Sequence, residues 1–232
     1  MSASSLEHLP ELMAILVHDM RNPLSALLTN IHFVQSLASG SSLDVEEALT
    51  DSALSCTILG QLIANLEVVG RAFGSSRPAP TVVGTREAAG QALARAAPQA
   101  TLARIEVAIA QGSRGASVLV EPVLFGHALD NLMANALQYS PANGKVVIEL
   151  MQTDQRAGVR VTDGGPAVPP EFRERVLTIE GQSAAKKKYE ARYGRGLGLY
   201  CAAQAARIAG AELTLGERDG HFLVELWGPL SP

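Results

Sequence analysis

Two stretches of helical periodicity, separated by four small residues, constrain this 232-residue chain more than anything else in it. Between Leu6 and Ala38 apolar side chains recur at Leu9, Met13, Leu16, Met20, Leu24, Leu27, Ile31 and Val34, in steps of three and four that trace one stripe along a helix. Ser39-Gly40-Ser41-Ser42 interrupts the pattern, and a second stripe runs through Val45, Leu49, Ser52, Cys56, Leu59, Ile63, Leu66 and Phe73. Asp44 and Glu47 have the spacing of a capping box for the second helix. Two helices of about 30 residues, each about 45 Å long, joined by a short loop predict a hairpin. Its apolar seam has no full cover within the hairpin, so pairing with a second copy as a four-helix bundle is expected.

The stretch Gly74-Ser75-Ser76-Arg77-Pro78-Ala79-Pro80 has no apolar period and two prolines. We divide the chain there, into a hairpin at 1–73, a linker at 74–81 and a second domain at 82–232. In that domain Thr85–Ala97 and Glu121–Tyr139 read as helices, as does the segment from Gly196 to Ala209. Short strands are expected at Ile105–Ile109, Ser117–Val120, Lys145–Met151, Gly158–Thr162, Glu212–Gly216 and Phe222–Trp227. Helices grouped against a mainly antiparallel sheet make an α/β sandwich, so the whole chain is of the α+β class.

A 47% hydrophobic content is enough for packed cores, and a net charge of -4 gives no basic balance that would favour nucleic acid. Uninterrupted apolar runs such as Leu12–Val17 are too short to span a bilayer, and no leader-like start is seen, so a cytoplasmic chain without a membrane segment is expected. Cys56 and Cys201 lie in helix-like segments and read as buried, inert thiols, and the five histidines lack metal-ligand spacing.

Three constellations carry chemistry. On the first helix, with Leu16 and Met20 centring the buried face, 100° per residue puts His18 about 180° away, on the exposed side. Asp19 beside it supplies a carboxylate that could take a proton from one ring nitrogen and leave the other nucleophilic, and Asn22 lies one turn on. Pro23 removes a backbone hydrogen bond and should bend or loosen the helix there. In the second domain, Asn131 and Asn135 fall on one helix face, where amide oxygens suit Mg²⁺, although paired asparagines are also common as surface polar residues or caps. Gly194-Arg195-Gly196-Leu197-Gly198-Leu199 opens a helix whose N–H groups and dipole favour phosphate, with Arg195 the best side-chain contact; a flexible loop is the plainer alternative. Lys186-Lys187-Lys188 is a solvated charge run or a further phosphate contact.

His18-Asp19-Met20-Arg21-Asn22-Pro23-Leu24 resembles the phosphoacceptor box of two-component sensor histidine kinases. Asp130-Asn131-Leu132-Met133-Ala134-Asn135-Ala136, Asp163-Gly164-Gly165-Pro166-Ala167-Val168-Pro169 and the glycine-rich segment from Gly194 resemble, in order, the asparagine, Asp-x-Gly-x-Gly and glycine boxes of the same family. The resemblance covers the chain from about residue 9 onward. It implies a homodimeric hairpin in which His18 takes the phosphate, Asp19 serves as base and Asn22 assists dephosphorylation of the partner. It also implies an ATP-binding domain, with Asn131 and Asn135 on Mg²⁺ and with Tyr139, Asp163, Gly165, Gly194, Arg195, Gly196, Leu197 and Gly198 at the nucleotide. Asp163 would receive the adenine amine; an Asp-Gly turn between strands is the plainer reading. Residues 170–193 lie where the family carries its ATP lid. Three positions depart from the pattern: Gln138 replaces a basic residue near the phosphates, Ala167 the second glycine of the Asp-Gly box, and Ile179 an aromatic of the lid.

The expected activity is therefore histidine autophosphorylation from Mg-ATP, followed by transfer to an aspartate of a response-regulator receiver domain, with phosphatase activity toward that partner a further expectation. A pseudokinase or phosphotransfer hub that binds nucleotide unproductively is the alternative. An ATPase of the gyrase, chaperone or mismatch-repair type would leave the hairpin unexplained.

Overall fold

The computed structural model describes residues 9–36, 42–72, 78–178 and 197–231. The chain forms two compact units, one ending at Glu67 and the other beginning at Val68. The first carries the two stripes on α1 (Leu9–Ser36) and most of α2 (Ser42–Ala72). α1 runs through Pro23 as one helix, although proline has no N–H to offer the carbonyl one turn before it. α2 begins at Ser42, which places Asp44 inside the first turn and not at the cap position its spacing from Glu47 suggested. There its charge still favours the positive end of the helix.

Leu24, Leu28 and Ile31 of α1 and Leu49 and Ile63 of α2 are 40–56% exposed. That much apolar surface on two helices is a face without cover among the described residues of this unit. α2 also qualifies, over Asp44–Ala72, as long and apolar enough to cross a membrane by length and composition alone. Uninterrupted apolar runs in the sequence are each too short for a span. α2 intersperses Ser, Thr, Asn and Gln, which are uncharged, so the helix passes without one.

The second unit contains β1 (Thr81–Gly84), α3 (Thr85–Leu102), β2 (Glu106–Ile109), β3 (Ser117–Val120), α4 (Pro122–Tyr139), β4 (Lys145–Gln152), β5 (Arg156–Pro166), α5 (Gly198–Ala209), β6 (Glu212–Arg218) and β7 (His221–Pro229). Two short 3₁₀ turns follow β5. The five-stranded sheet has the order β2-β4-β5-β7-β6, antiparallel except for the β2–β4 pair. β1, which the sequence reading did not predict, pairs with β3 in a separate two-stranded ribbon. At four residues it is too short to show a convincing alternation.

Alternation along β4 and along most of β5 and β7 marks the face the helices cover. Val146, Ile148 and Leu150 of β4, Val159 and Val161 of β5, and Phe222, Val224 and Leu226 of β7 point inward and are buried. They meet Leu124, Phe125, Leu129 and Leu132 of α4 and the alanines 88, 89, 92, 96 and 100 of α3. Each large side chain so buried stabilises by roughly 1.5–3 kcal/mol. α5 ends in a left-handed residue, Gly210 at φ 82°, and the Ala211 N–H returns to the Ala206 carbonyl at 2.8 Å. This closes the helix and turns the chain straight into β6.

The outer face of the sheet is polar and organised around Arg160. Its guanidinium donates to Glu225 Oε1 at 2.5 Å and to Glu149 Oε2 at 3.2 Å. Trp227 Nε1 donates to the other oxygen of Glu225 at 3.0 Å. Burial alone would lower the Arg160 pKa, but its bonds to Glu225 and Glu149 outweigh burial and raise it. Burial likewise pushes the Glu225 carboxyl up, yet the hydrogen bonds from Trp227 and Arg160 hold it below the ordinary carboxylate range.

Candidate nucleotide-binding site

α4 positions the two asparagines. Glu121 is its N-cap and accepts the Leu124 N–H at 2.6 Å, while Pro122 takes the first helical position, where a missing N–H costs nothing. The Glu121 N–H itself donates to the Ala209 carbonyl at the end of α5. This Glu-Pro start is a legible capping signal that the sequence reading passed over. From it the 18-residue helix runs about five turns through the core, and Asn131 and Asn135 lie one turn apart on it, only 2% and 8% exposed. Such burial rules out the surface-polar reading of the pair, because a buried amide without polar partners is costly. Asn131 Nδ2 donates to the His127 carbonyl at 3.0 Å. Its Oδ1 faces Gly198, where an added Cβ would stand 3.7 Å from it.

Asp163 sits near the end of β5, 3% exposed, with Oδ1 accepting the Gly165 N–H at 2.7 Å. An aspartate bonding the backbone two residues on is an Asx turn. It coincides with a shift in the β5–β7 register between Thr162 and Pro166. The sequence reading held open a turn between two strands; instead one strand continues to Pro166 with an irregularity at the aspartate. A Cβ at Gly164 would lie 3.3 Å from Cδ of Pro141, the second residue beyond α4. The box is thus packed beneath the exit of α4, and Pro141 is a site neighbour that no sequence motif announced.

Ala167 stands where the resemblance calls for glycine, and an alanine there would be strained only at positive φ. Among the described residues only Arg104, Asn143 and Asp219 are non-glycines of that kind, and the positive-φ glycines are 112, 210 and 220. Ala167 is therefore unstrained, and Gly164 serves close packing with Pro141, not a special backbone angle. Gln138 is exposed, and Tyr139, the last residue of α4, is half-buried.

α5 begins at Gly198, two residues later than expected, with buried Leu197 at the N-cap and no side-chain cap. Glycine is the poorest helix former after proline, so a Gly-Leu-Gly start delays the first turn. Its first residue, Gly198, lies beside Asn131. Gly194, Arg195 and Gly196 lie outside the described residues, as do Ile179 and Lys186-Lys187-Lys188. Cys201 is fully buried on α5, and burial pushes its thiol up to about 12, which makes it inert. Cys56, expected to be buried, is exposed on α2.

Asn131, Asn135, Asp163, Gly165, Leu197 and Gly198 therefore belong to three elements of one unit, with α4 packed on both α5 and β5. No cluster of three His, Cys, Asp or Glu occurs among the described residues. A cation here would have to be completed by amide oxygens, phosphates and water, a donor set that fits Mg²⁺. A cleft of about 430 Å³ between α3 and α4 involves Arg95 and Asp130, which pair with each other at 2.8 Å. His18, Asp19 and Asn22 are all on α1; the side chains of His18 and Asp19 lie outside the described residues, and Asn22 is exposed.

Comparison with known proteins agrees with this arrangement. Residues 120–231 match the family described as histidine kinase-, DNA gyrase B-, and HSP90-like ATPase. The adaptive-response sensory kinase SasA of Trichormus variabilis is 29% identical over 208 residues, covering 84% of this chain and 50% of its own. The signal transduction histidine-protein kinase/phosphatase MprB of Mycolicibacterium vanbaalenii is 27% identical, covering 92% of this chain and 44% of its own. The chain thus spans about half the length of these curated relatives. The solved structure of histidine kinase ThkA in complex with response regulator protein TrrA shares the fold, with TM-score 0.60 and 18% identity over 99% of this chain and 64% of that one. Residues 120–231 are thus similar to the histidine kinase-, DNA gyrase B- and HSP90-like ATPases, and over most of its length the chain is similar to sensor histidine kinases.

Proposed function

We propose that this chain is the catalytic core of an ATP-dependent protein-histidine kinase that phosphorylates His18 and passes the phosphoryl group to an aspartate of a response-regulator receiver domain. The observation that carries the reading is the convergence of buried Asn135, buried Asp163 and the start of α5 in one unit, in a chain whose first helix holds the His18 box. Asp163 would accept the adenine amine, and α5 would offer N–H groups to the phosphates. Asn135 would hold Mg²⁺, which when bound neutralises phosphate charge. Asp19 would draw a proton from one nitrogen of His18 and leave the other to attack. The functional division we adopt is a hairpin at 1–73, a linker at 74–81 and the ATP-binding domain at 82–232. α2 runs unbroken to Ala72, past the limit of the first compact unit.

The uncovered apolar faces of α1 and α2 support a homodimer joined through the hairpins, in the cytoplasm, where ATP is available. The response regulator named in the ThkA complex supports the choice of partner class, and the kinase/phosphatase name of MprB supports a second, dephosphorylating role through Asn22. Incubation with γ-labelled ATP and Mg²⁺ tests the reading: label should be acid-labile, alkali-stable and absent from His18→Gln. Nucleotide binding without label would favour the phosphotransfer hub, and label surviving in His18→Gln would move the acceptor elsewhere.

A further inference from the structure

β5 carries Asp163 and leaves the sheet just beyond it. Its register against β7 breaks between Thr162 and Pro166, so regular pairing does not fix the β7 side of the Asp163 box. Past Pro166 the chain runs without strand or helix through Ala167, Val168 and Pro169 into the 3₁₀ turns at Pro170–Phe172 and Arg175–Leu177. Val168 is fully buried, and its carbonyl needs a donor in place of a ladder partner. Arg173 supplies one: its Nε donates to the Val168 carbonyl at 3.0 Å. The same guanidinium donates through Nη2 to Glu217 Oε2 at 2.9 Å. Glu217 stands on β6, an edge strand of the sheet. A planar guanidinium presents its donors in fixed directions, so an arginine bonded at two nitrogens is aimed, and the carbonyl it meets is held in place. Neither side chain belongs to a motif that the sequence displays.

We propose that Arg173 is a positioning residue for nucleotide recognition: by holding the Val168 carbonyl, with Glu217 aiming its guanidinium, it fixes the exit of β5 and with it the turn from Asp163 to Gly165. The inference rests on the nucleotide-site reading above, in which that turn meets the adenine. Only Pro166 and Ala167 separate Gly165 from Val168, and the fixed φ of proline stiffens the connection. Gly165 is in turn tied to the Asp163 carboxylate through its N–H. A displacement of Val168 is therefore passed to the acceptor that faces the base. The ion pair itself is too exposed to contribute much stability, with side chains 25% and 45% accessible. Its consequence is orientation.

A positioning role and a plain ion pair differ in what a charge swap restores. Affinities for ATP and for inosine triphosphate, which lacks the adenine amine, are measured by calorimetry on the full chain, alongside thermal unfolding of each variant without nucleotide. Arg173→Ala should weaken ATP binding about tenfold, the equivalent of one hydrogen bond, and inosine triphosphate binding by a smaller factor, so that the preference for ATP narrows. The double variant Arg173→Glu with Glu217→Arg rebuilds an ion pair between the two positions, but a carboxylate at 173 has only acceptors to offer and cannot bond the Val168 carbonyl. It should unfold near the wild-type temperature and still show the narrowed preference of Arg173→Ala. Recovery of the wild-type preference in the swapped pair would overturn the assignment in favour of the ion pair alone. Unchanged ATP affinity in Arg173→Ala, or an equal loss for both nucleotides, would overturn it in favour of a purely structural side chain. A wild type that binds neither nucleotide would remove the nucleotide-site reading itself, and this inference with it.

Discussion

Replacing Asp163 by asparagine separates folding from recognition at the adenine end of the site. The substitution is isosteric at a position 3% exposed. The carboxylate's Oδ1 accepts the Gly165 N–H at 2.7 Å, and an asparagine can keep that bond by presenting its own oxygen there. The Asx turn and the register irregularity beside it should therefore survive, and stability should change by less than about 1 kcal/mol. The other side-chain position then becomes an NH₂ group. Where, on the proposed function, the aspartate would offer an acceptor to the exocyclic amine of adenine, the variant would offer a donor, so the hydrogen bond would be lost and two donors would oppose each other. Hydrogen bonds to charged groups are worth about 1.5–3 kcal/mol, so ATP affinity should fall by about 10- to 150-fold. Calorimetric titration with ATP and with inosine triphosphate, which carries an oxygen in place of the amine, makes the test specific. Asp163→Asn should lose most of the wild type's preference for ATP over the inosine nucleotide. An unchanged ATP affinity, or an equal loss for both nucleotides, would refute the reasoning.

Further outcomes follow from the scaffold. Arg160→Ala removes the cation shared by Glu225 and Glu149 and should cost about 1–3 kcal/mol in urea unfolding at neutral pH, between the values for exposed and fully buried pairs. The folded-state pKa of Glu225 is depressed below 4.5, so its contribution is present above that unfolded value and is lost as pH falls through the folded pKa; the gap between wild type and Arg160→Ala should narrow in that acid window. Gly158→Ala would press its methyl onto the Leu226 carbonyl oxygen across the β5–β7 ladder, and a lowered melting temperature worth about 1–3 kcal/mol should result. A thiol reagent at mildly alkaline pH should label Cys201 only on unfolding, so Cys56→Ser should leave no thiol that reacts in the folded protein.

What the sequence made legible was periodic or local. The stripes along α1 and α2, the alternation in β4 and β7, and the motif order of Asn135, Asp163 and Gly198 each depend on spacing within one segment, and spacing is visible without coordinates. Boundaries set by competition between neighbours were less accessible: α3 continues through Pro98 to Leu102, and α5 waits until Gly198. The strand β1 escaped because its reason to exist is a distant partner: Val82 pairs with Leu119 and Val83 with Val118. Relations between motifs were invisible for the same reason. Nothing in the order of residues says that Pro141 packs over Gly164, or that the amide of Asn131 turns toward α5. Two asparagines four apart present identical chemistry to a reader of spacing, and only the His127 carbonyl and the uncapped start of α5 distinguish them. Motif resemblance therefore identifies which side chains gather at a site of this kind, while the division of labour among them is set by which polar atoms the fold has already engaged. In this site the nitrogen of Asn131 is bonded to the His127 carbonyl and its oxygen lies beside the start of α5, a placement that spacing alone does not reveal.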